Sequence, residues 1–197
     1  MDFDPLFHGP PPSLRDEQKA LTRTRILGEA LALMRSAGED AVTIRAVAAA
    51  AGVTERTVYR HFKTRDDLLG SVWQRMFELV GPPASPKTAN SLVRRPRRLF
   101  PRLDRQPELV RAYLHSRARR EGDRRLNEES QQAMIECVRD ELEYLDEHSL
   151  RRRAAIAYVI TSPYAWQLMQ EFWGFSGDEA GEAATEALEI LLNRRLA

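Results

Sequence analysis

One stretch of this chain has the composition of a surface built to make hydrogen bonds. In Thr54-Glu55-Arg56-Thr57-Val58-Tyr59-Arg60-His61-Phe62, Val58 and Phe62 are four residues apart and fall on one side of a helix. The remaining positions, Thr54, Glu55, Arg56, Thr57, Tyr59, Arg60 and His61, leave the other side rich in hydroxyls, guanidinium groups, a carboxylate and an imidazole. Such a face offers donors and acceptors for base edges in a major groove, together with cations and hydroxyls for phosphates. No comparable grouping suits covalent chemistry. The chain has no glycine-rich phosphate loop, no nucleophile elbow, no cysteine–histidine pairing and no close pair of metal ligands, so the sequence reads as a binding protein and not an enzyme.

The elements that must carry this face can be read from the punctuation around it. Thr43 is placed to cap a helix through Ala51, Gly52 stops it, and Thr54 is placed to cap the next through about His61. Two short helices joined by a Gly-Val turn have the spacing of a helix-turn-helix, with Ala48 set against the partner helix. Upstream, a helix is expected from about Lys19, or from a capping box at Ser13-Leu14-Arg15-Asp16, to about Ser36, with the apolar stripe Ile26, Leu27, Ala30, Leu31, Leu33 and Met34. Downstream, Thr64-Arg65-Asp66-Asp67 is a capping box for a helix to about Val80.

Everything else between breakers also has helical periodicity, and the expected fold class is all-α. Ser176-Gly177-Asp178-Glu179 opens a last helix with Ala180, Ala184, Ala187, Leu188, Leu191 and Leu192 at helical spacing. Before it, Ala154 to Trp173 is apolar over much of its circumference, and Pro163 should kink or break it. Residues 1–12, with four prolines and no apolar period, read as a disordered tail. Gly81-Pro82-Pro83 and Pro86 divide the remainder into domains of residues 13–80 and 81–197.

The 197 residues carry 30 basic and 29 acidic side chains for a net charge of +1, and mean hydropathy is −0.49. Disordered, fibrous and membrane classes are excluded on that composition. The acidic, proline-bearing start is unlike a secretory signal, so a cytoplasmic location is expected. The single cysteine, Cys137, and four scattered histidines imply no disulfide, no metal site and no cofactor. Charge is segregated: residues 13–65 hold ten basic against six acidic residues, 87–125 thirteen against four, and 126–150 one against eight.

Residues 25–70 resemble the DNA-binding domain of the tetracycline-repressor (TetR) family. The likeness rests on Arg25-Ile26-Leu27-Gly28-Glu29-Ala30, on Val42-Thr43-Ile44-Arg45-Ala46-Val47-Ala48, on Ala51-Gly52-Val53-Thr54, and above all on Thr57-Val58-Tyr59-Arg60-His61-Phe62 with Lys63-Thr64-Arg65-Asp66-Asp67-Leu68-Leu69. The resemblance implies a three-helix helix-turn-helix domain followed by a helical ligand-binding and dimerisation domain. It implies double-stranded DNA with a two-fold symmetric operator as partner, a homodimer, and a repressor released by a small molecule. It further implies a base contact for Arg45, and contacts to backbone or bases for Tyr59 and His61, whose alternative is bracing the helix pair. Thr43, Lys63 and Arg65 stand at helix N-termini that favour phosphate, although Thr43 and Thr64 also read as plain caps. Two departures stand out: Arg65 occupies a position where the family usually has lysine, and Arg56 one where a small residue is common and from which a guanidinium can reach a guanine edge.

By the same resemblance the last two helices pair with their copies as a four-helix bundle, and Trp166 to Leu192 is the expected interface, the alternative being burial within one subunit. An effector pocket would lie after Val80, with Phe77, Phe100, Leu103, Leu109, Tyr113, Met134, Tyr158 and Trp166 as candidate walls, each of which is equally at home in a plain core. The expected effector is small and hydrophobic. It would also be anionic if the arginines between Arg94 and Arg120, including Arg117, Arg119 and Arg120, face the pocket; the simpler account of that run is charge balance against Glu128 to Glu147, or a solvated surface. The competing class is a dimeric DNA-binding or interaction protein with no effector.

Overall fold

The computed structural model describes residues 13–81, 85–116, 128 and 130–193, and the expected tail at 1–12 lies outside them, as do Arg117, Arg119 and Arg120. Among the described residues every regular element is helical. They fall into two compact units, one ending at Val72 and one beginning at Trp73, so the division lies inside a helix, Arg65–Val80.

The first unit is built from helices whose beginnings are fixed by side-chain caps. In α1 (Leu14–Ala37), Ser13 accepts from the Asp16 amide at 3.2 Å. A 3-10 turn (Glu39–Ala41) leads to α2 (Ile44–Ala50), where Thr43 accepts from the Ala46 amide at 3.1 Å. The chain then reverses on Gly52, at φ +60°. The Val53 amide reaches the Ala48 carbonyl at 3.0 Å and the Gly52 amide that of Ala49 at 3.2 Å, the paired bonds of a Schellman end. A residue with a Cβ would be strained there, which explains the glycine. Next come α3 (Glu55–His61) and α4 (Arg65–Val80), the latter opened by reciprocal bonds between Thr64 and Asp67 at 3.0 and 3.1 Å. The apolar stripe is found where periodicity sets it: Ile26, Ala30, Leu31 and Met34 are buried, as are Val47, Ala48, Val58, Phe62 and Leu68. α1 and α3 both pack on α2.

The second unit continues with α5 (Ala89–Val93), α6 (Arg95–Leu103) and α7 (Pro107–His115), then a helical segment at 130–139 (α8), α9 (Glu147–Ile160), α10 (Pro163–Trp173) and α11 (Gly177–Leu191). Pro163 does break the apolar run, as the first residue of α10 behind the cap Ser162. Ser176 and Glu179 form the expected capping box. α11 lies most extensively on α6, and glycines allow it. A Cβ on Gly177 would stand 2.5 Å from the Phe100 carbonyl oxygen, and one on Gly181 3.1 Å from the Pro96 oxygen. Asp104, just after α6, binds this layer together: its carboxylate accepts from Trp166 Nε1 at 2.7 Å, from Gln170 Nε2 at 3.2 Å and from the Gly177 amide. A separate apolar cluster joins Leu92, Met134, Cys137, Val138, Leu142, Leu150, Ala157 and Leu188. Burial pushes the Cys137 thiol above its ordinary pKa, and Asp140 and Glu136 add to the effect.

Candidate functional site

α3 is short, and its geometry is imposed from both ends. Thr54 Oγ1 accepts from the Thr57 amide at 3.2 Å and lies 3.0 Å from the Thr57 hydroxyl, so both threonines shape the first turn. Val58 and Phe62 anchor the inner face, while Thr54, Glu55, Arg56, Tyr59 and Arg60 are exposed, Tyr59 by half its surface. Thr57 and His61 are half-buried. Arg45 and Thr43 on α2, and Lys63 after α3, are also exposed. The polar groups picked out in the sequence thus surround one helix and its immediate neighbours.

Two basic residues do something other than face solvent. Arg65 was expected at a phosphate; its Nε donates to the Val42 carbonyl at 2.8 Å and its Nη2 to that of Glu39 at 2.6 Å, so it ties the start of α4 to the 3-10 turn and link before α2. A lysine has no such two-point fork, which gives the departure at this position a structural reason. Arg23 on α1, which sequence reasoning left unassigned, donates from Nη1 to the His61 carbonyl at 2.8 Å and lies 4.2 Å over the Phe62 ring. Neither arginine could have been assigned from local pattern, because the acceptors are backbone atoms 23 to 38 residues distant in sequence. The His61 Nε2 is buried without a hydrogen-bond partner, and the imidazole pKa lies below its usual 6.5, first through burial and then through Arg60, Arg23 and Lys19.

The second unit holds a cleft of about 610 Å³ between α8 and α9, bounded at one end by the start of α10. Its walls are Gln131, Met134, Ile135, Arg151, Ala154, Ala155, Tyr158, Val159, Ser162 and Tyr164. Of the expected pocket residues, Met134 and Tyr158 are there. Phe100, Leu103, Leu109 and Trp166 are buried and are not among the walls of this cleft; α6, α7, α10 and α11 pack on one another around Asp104. Phe77 and Tyr113 meet edge to face at 5.2 Å, and Tyr113 also meets Trp73 at 5.3 Å. The sequence signal for the cleft is the small pair Ala154-Ala155 one turn before Tyr158, which leaves volume where large residues would fill it.

Arg151 is the cation at the cleft, and it lies outside the run from Arg94 to Arg120. Within that run Arg97 pairs with Glu182, and Arg111 with Glu108 at 3.1 Å and Glu171 at 3.4 Å. The expected balance against Glu128 to Glu147 is therefore replaced, for these two arginines, by partners on α7, α10 and α11. Among the described residues no cluster of metal-ligating side chains occurs, and no helix is long and apolar enough to cross a membrane.

Comparison with known proteins gives these features a context. Residues 26–72 match the bacterial regulatory proteins of the tetR family. Over 60 residues the chain is 40% identical to the HTH-type transcriptional regulator AcrR of Shigella flexneri, a match that spans 30% of this chain and 28% of that relative. Solved structures that share the fold include the following three. NalD of Pseudomonas aeruginosa, the secondary repressor of the MexAB-OprM multidrug efflux pump, is 21% identical, with a TM-score of 0.54 over 87% of this chain and 95% of its own. A TetR/AcrR-family regulator of Thermobifida fusca is 20% identical, with a TM-score of 0.55 over 88% and 98%. A Saccharomonospora viridis protein solved in complex with choline is 18% identical, with a TM-score of 0.55 over 86% and 96%. Residues 26–72 thus carry the sequence signature of the tetR family of bacterial regulatory proteins, and the chain shares its helical fold with solved regulators of that family.

Proposed function

We propose that this chain is a homodimeric, cytoplasmic repressor that reads a two-fold symmetric operator with α3 and releases it when a small hydrophobic effector enters the cleft between α8 and α9. The observation that carries the reading is the exposed polar face of α3, held by Thr54, Val58 and Phe62. On it Arg56 and, from α2, Arg45 are the base readers, while Thr43, Thr54, Glu55, Thr57, Tyr59, Arg60, His61 and Lys63 position the helix on the duplex. Arg65 serves by fixing the α2 approach. The domain boundary expected near residue 80 is kept in this reading with α4 as the connecting helix.

The dimer surface follows from what remains uncovered. Trp166, Leu188 and Leu192, which fall in the expected interface, are buried within the subunit. Leu168, Phe172 and Trp173 on α10 and Ile190 on α11 are exposed, Phe172 and Trp173 by 77% and 75%. Side chains of that size each gain about 1.5 to 3 kcal/mol on full burial, so a second copy seated here gives a substantial driving force.

The cleft has the size of a small-molecule site and is walled by Met134, Ile135, Tyr158 and Val159, with Arg151, Gln131, Ser162 and Tyr164 to orient a ligand. A physical route leads away from it. The Tyr164 hydroxyl donates to the Leu114 carbonyl on α7 at 2.8 Å, and the neighbouring Tyr113 holds Trp73 and Phe77 of α4 edge to face. A ligand that shifts Tyr164 would act on α4 through that chain, with a coupling of about 1 to 3 kcal/mol, or roughly 5- to 150-fold in operator affinity. The burial of Phe100, Leu103, Leu109 and Trp166 is what the second reading, a dimer with no effector whose candidate walls are plain core, expects. Titrating a hydrophobic ligand library against an operator complex decides between them: release that is lost in Ala155→Trp, which fills the cleft, supports the effector, and no release by any ligand supports the second reading.

A further inference from the structure

We propose that Arg23 of α1 is a positioning residue for operator reading, which sets the angle of α3 by holding its C-terminal end. The inference rests on the reading that α3 enters the major groove. α3 has two turns, too few to be stable alone, so its orientation comes from what grips its ends. Thr54 secures the N-terminal end, whereas the last carbonyls of a helix have no partner within it. Arg23 Nη1 supplies one to the His61 carbonyl at 2.8 Å. The same guanidinium lies 4.2 Å over the ring of Phe62, which is 2% exposed and forms the C-terminal cap of α3. Its Nη2 is 3.4 Å from Ser71 Oγ on α4. One planar group therefore bridges α1, the end of α3 and α4.

This arrangement is specific to arginine. A planar fork can donate along two directions while its face covers an aromatic ring, but a lysine is a point charge on a flexible stem. Base readers such as Arg56 need placement within about 0.5 Å to make bidentate bonds, so a small tilt of α3 lowers discrimination before it lowers general affinity. Phosphate contacts, made by flexible exposed side chains, tolerate that tilt better.

Arg23 is itself exposed and cationic, and the experiment must separate a positioning role from a direct phosphate contact. Wild-type protein selects a preferred duplex from a random library. Wild type, Arg23→Lys and Arg23→Gln are then titrated against that duplex and a scrambled one across a KCl series, with helicity and thermal midpoint measured on each. The expected result is a fall of about tenfold in the preferred-to-scrambled affinity ratio for both variants, the factor that one lost hydrogen bond to a charged group supplies. The salt slope should not change. An unchanged ratio in folded Arg23→Gln overturns the proposal, and so does an unchanged ratio in Arg23→Lys, which keeps the charge and serves where Arg23→Gln fails to fold. Equal loss on both duplexes with the slope lowered by about 0.9 also overturns it, making Arg23 a phosphate contact. A wild type that selects no duplex removes the reading of α3 itself.

Discussion

A single methyl group at residue 177 should unseat α11. Gly177 begins that helix where it crosses α6, and a Cβ there would meet the Phe100 carbonyl oxygen at 2.5 Å, its carbon at 2.7 Å and Asp104 Oδ2 at 2.8 Å. Two of these atoms are backbone and cannot swing away, so the whole helix must move. Overpacking of this kind costs about 1 to 3 kcal/mol. Displacing the amide that Asp104 accepts removes part of a charged hydrogen bond worth about 1.5 to 3 kcal/mol. Alanine's helical advantage over glycine, about 0.5 to 1 kcal/mol, offsets some of this. Gly177→Ala should therefore lose about 2 to 4 kcal/mol, a fall of roughly 5 to 15 °C in the melting temperature of the C-terminal domain. Near-ultraviolet circular dichroism is the suitable assay, because Trp166 is buried and bonded to the same Asp104. Gly28→Ala in α1 is the control: nothing lies within 4 Å of its Cβ, so it should be stabilising by about 0.4 to 1 kcal/mol. A Gly177→Ala protein as stable as the wild type would refute the close approach of α11 to α6.

Three further outcomes are expected. The His61 pKa is depressed, so between it and 6.5 the unfolded chain binds more protons; DNA-domain stability should be full above pH 6.5 and fall as pH drops through that window, whereas operator affinity should rise because phosphates favour the charged ring. Calorimetric binding in buffers of different ionisation enthalpy should show proton uptake for wild type and none for His61→Gln. Phe172→Glu with Trp173→Glu should convert the dimer to a folded monomer in sedimentation velocity; an unchanged dimer would place the interface elsewhere. Tyr164→Phe removes the bond to the Leu114 carbonyl and should weaken effector release of DNA while leaving DNA affinity alone, read by fluorescence anisotropy.

Local signals in the sequence and long-range ones fared differently. Ser13, Thr43, Thr54, Thr64 and Ser176 cap helices where a hydroxyl precedes an apolar period, because capping needs only three consecutive residues beyond the cap. Gly52 and Pro163 were legible for the same reason, their effect being written in one residue's backbone. Arg23, Arg65 and Asp104 were not, since each acts on atoms 23 to 73 residues away that only the folded chain brings near. The cleft was legible only at Met134 and Tyr158, which announce themselves by size; a cavity is made by what is absent, and the small pair Ala154-Ala155 is a fainter signal of it.

The central claim, that α3 and α2 read a sequence while their neighbours hold phosphate, is tested most directly by salt-dependent binding of four proteins to a selected duplex and a scrambled one. Arg56→Ala and Arg45→Ala should each lose about 1 to 3 kcal/mol on the selected duplex, with little change on the scrambled one. Lys63→Ala should weaken both alike and lower the salt slope by about 1. Equal losses on both duplexes for all three substitutions would contradict the account.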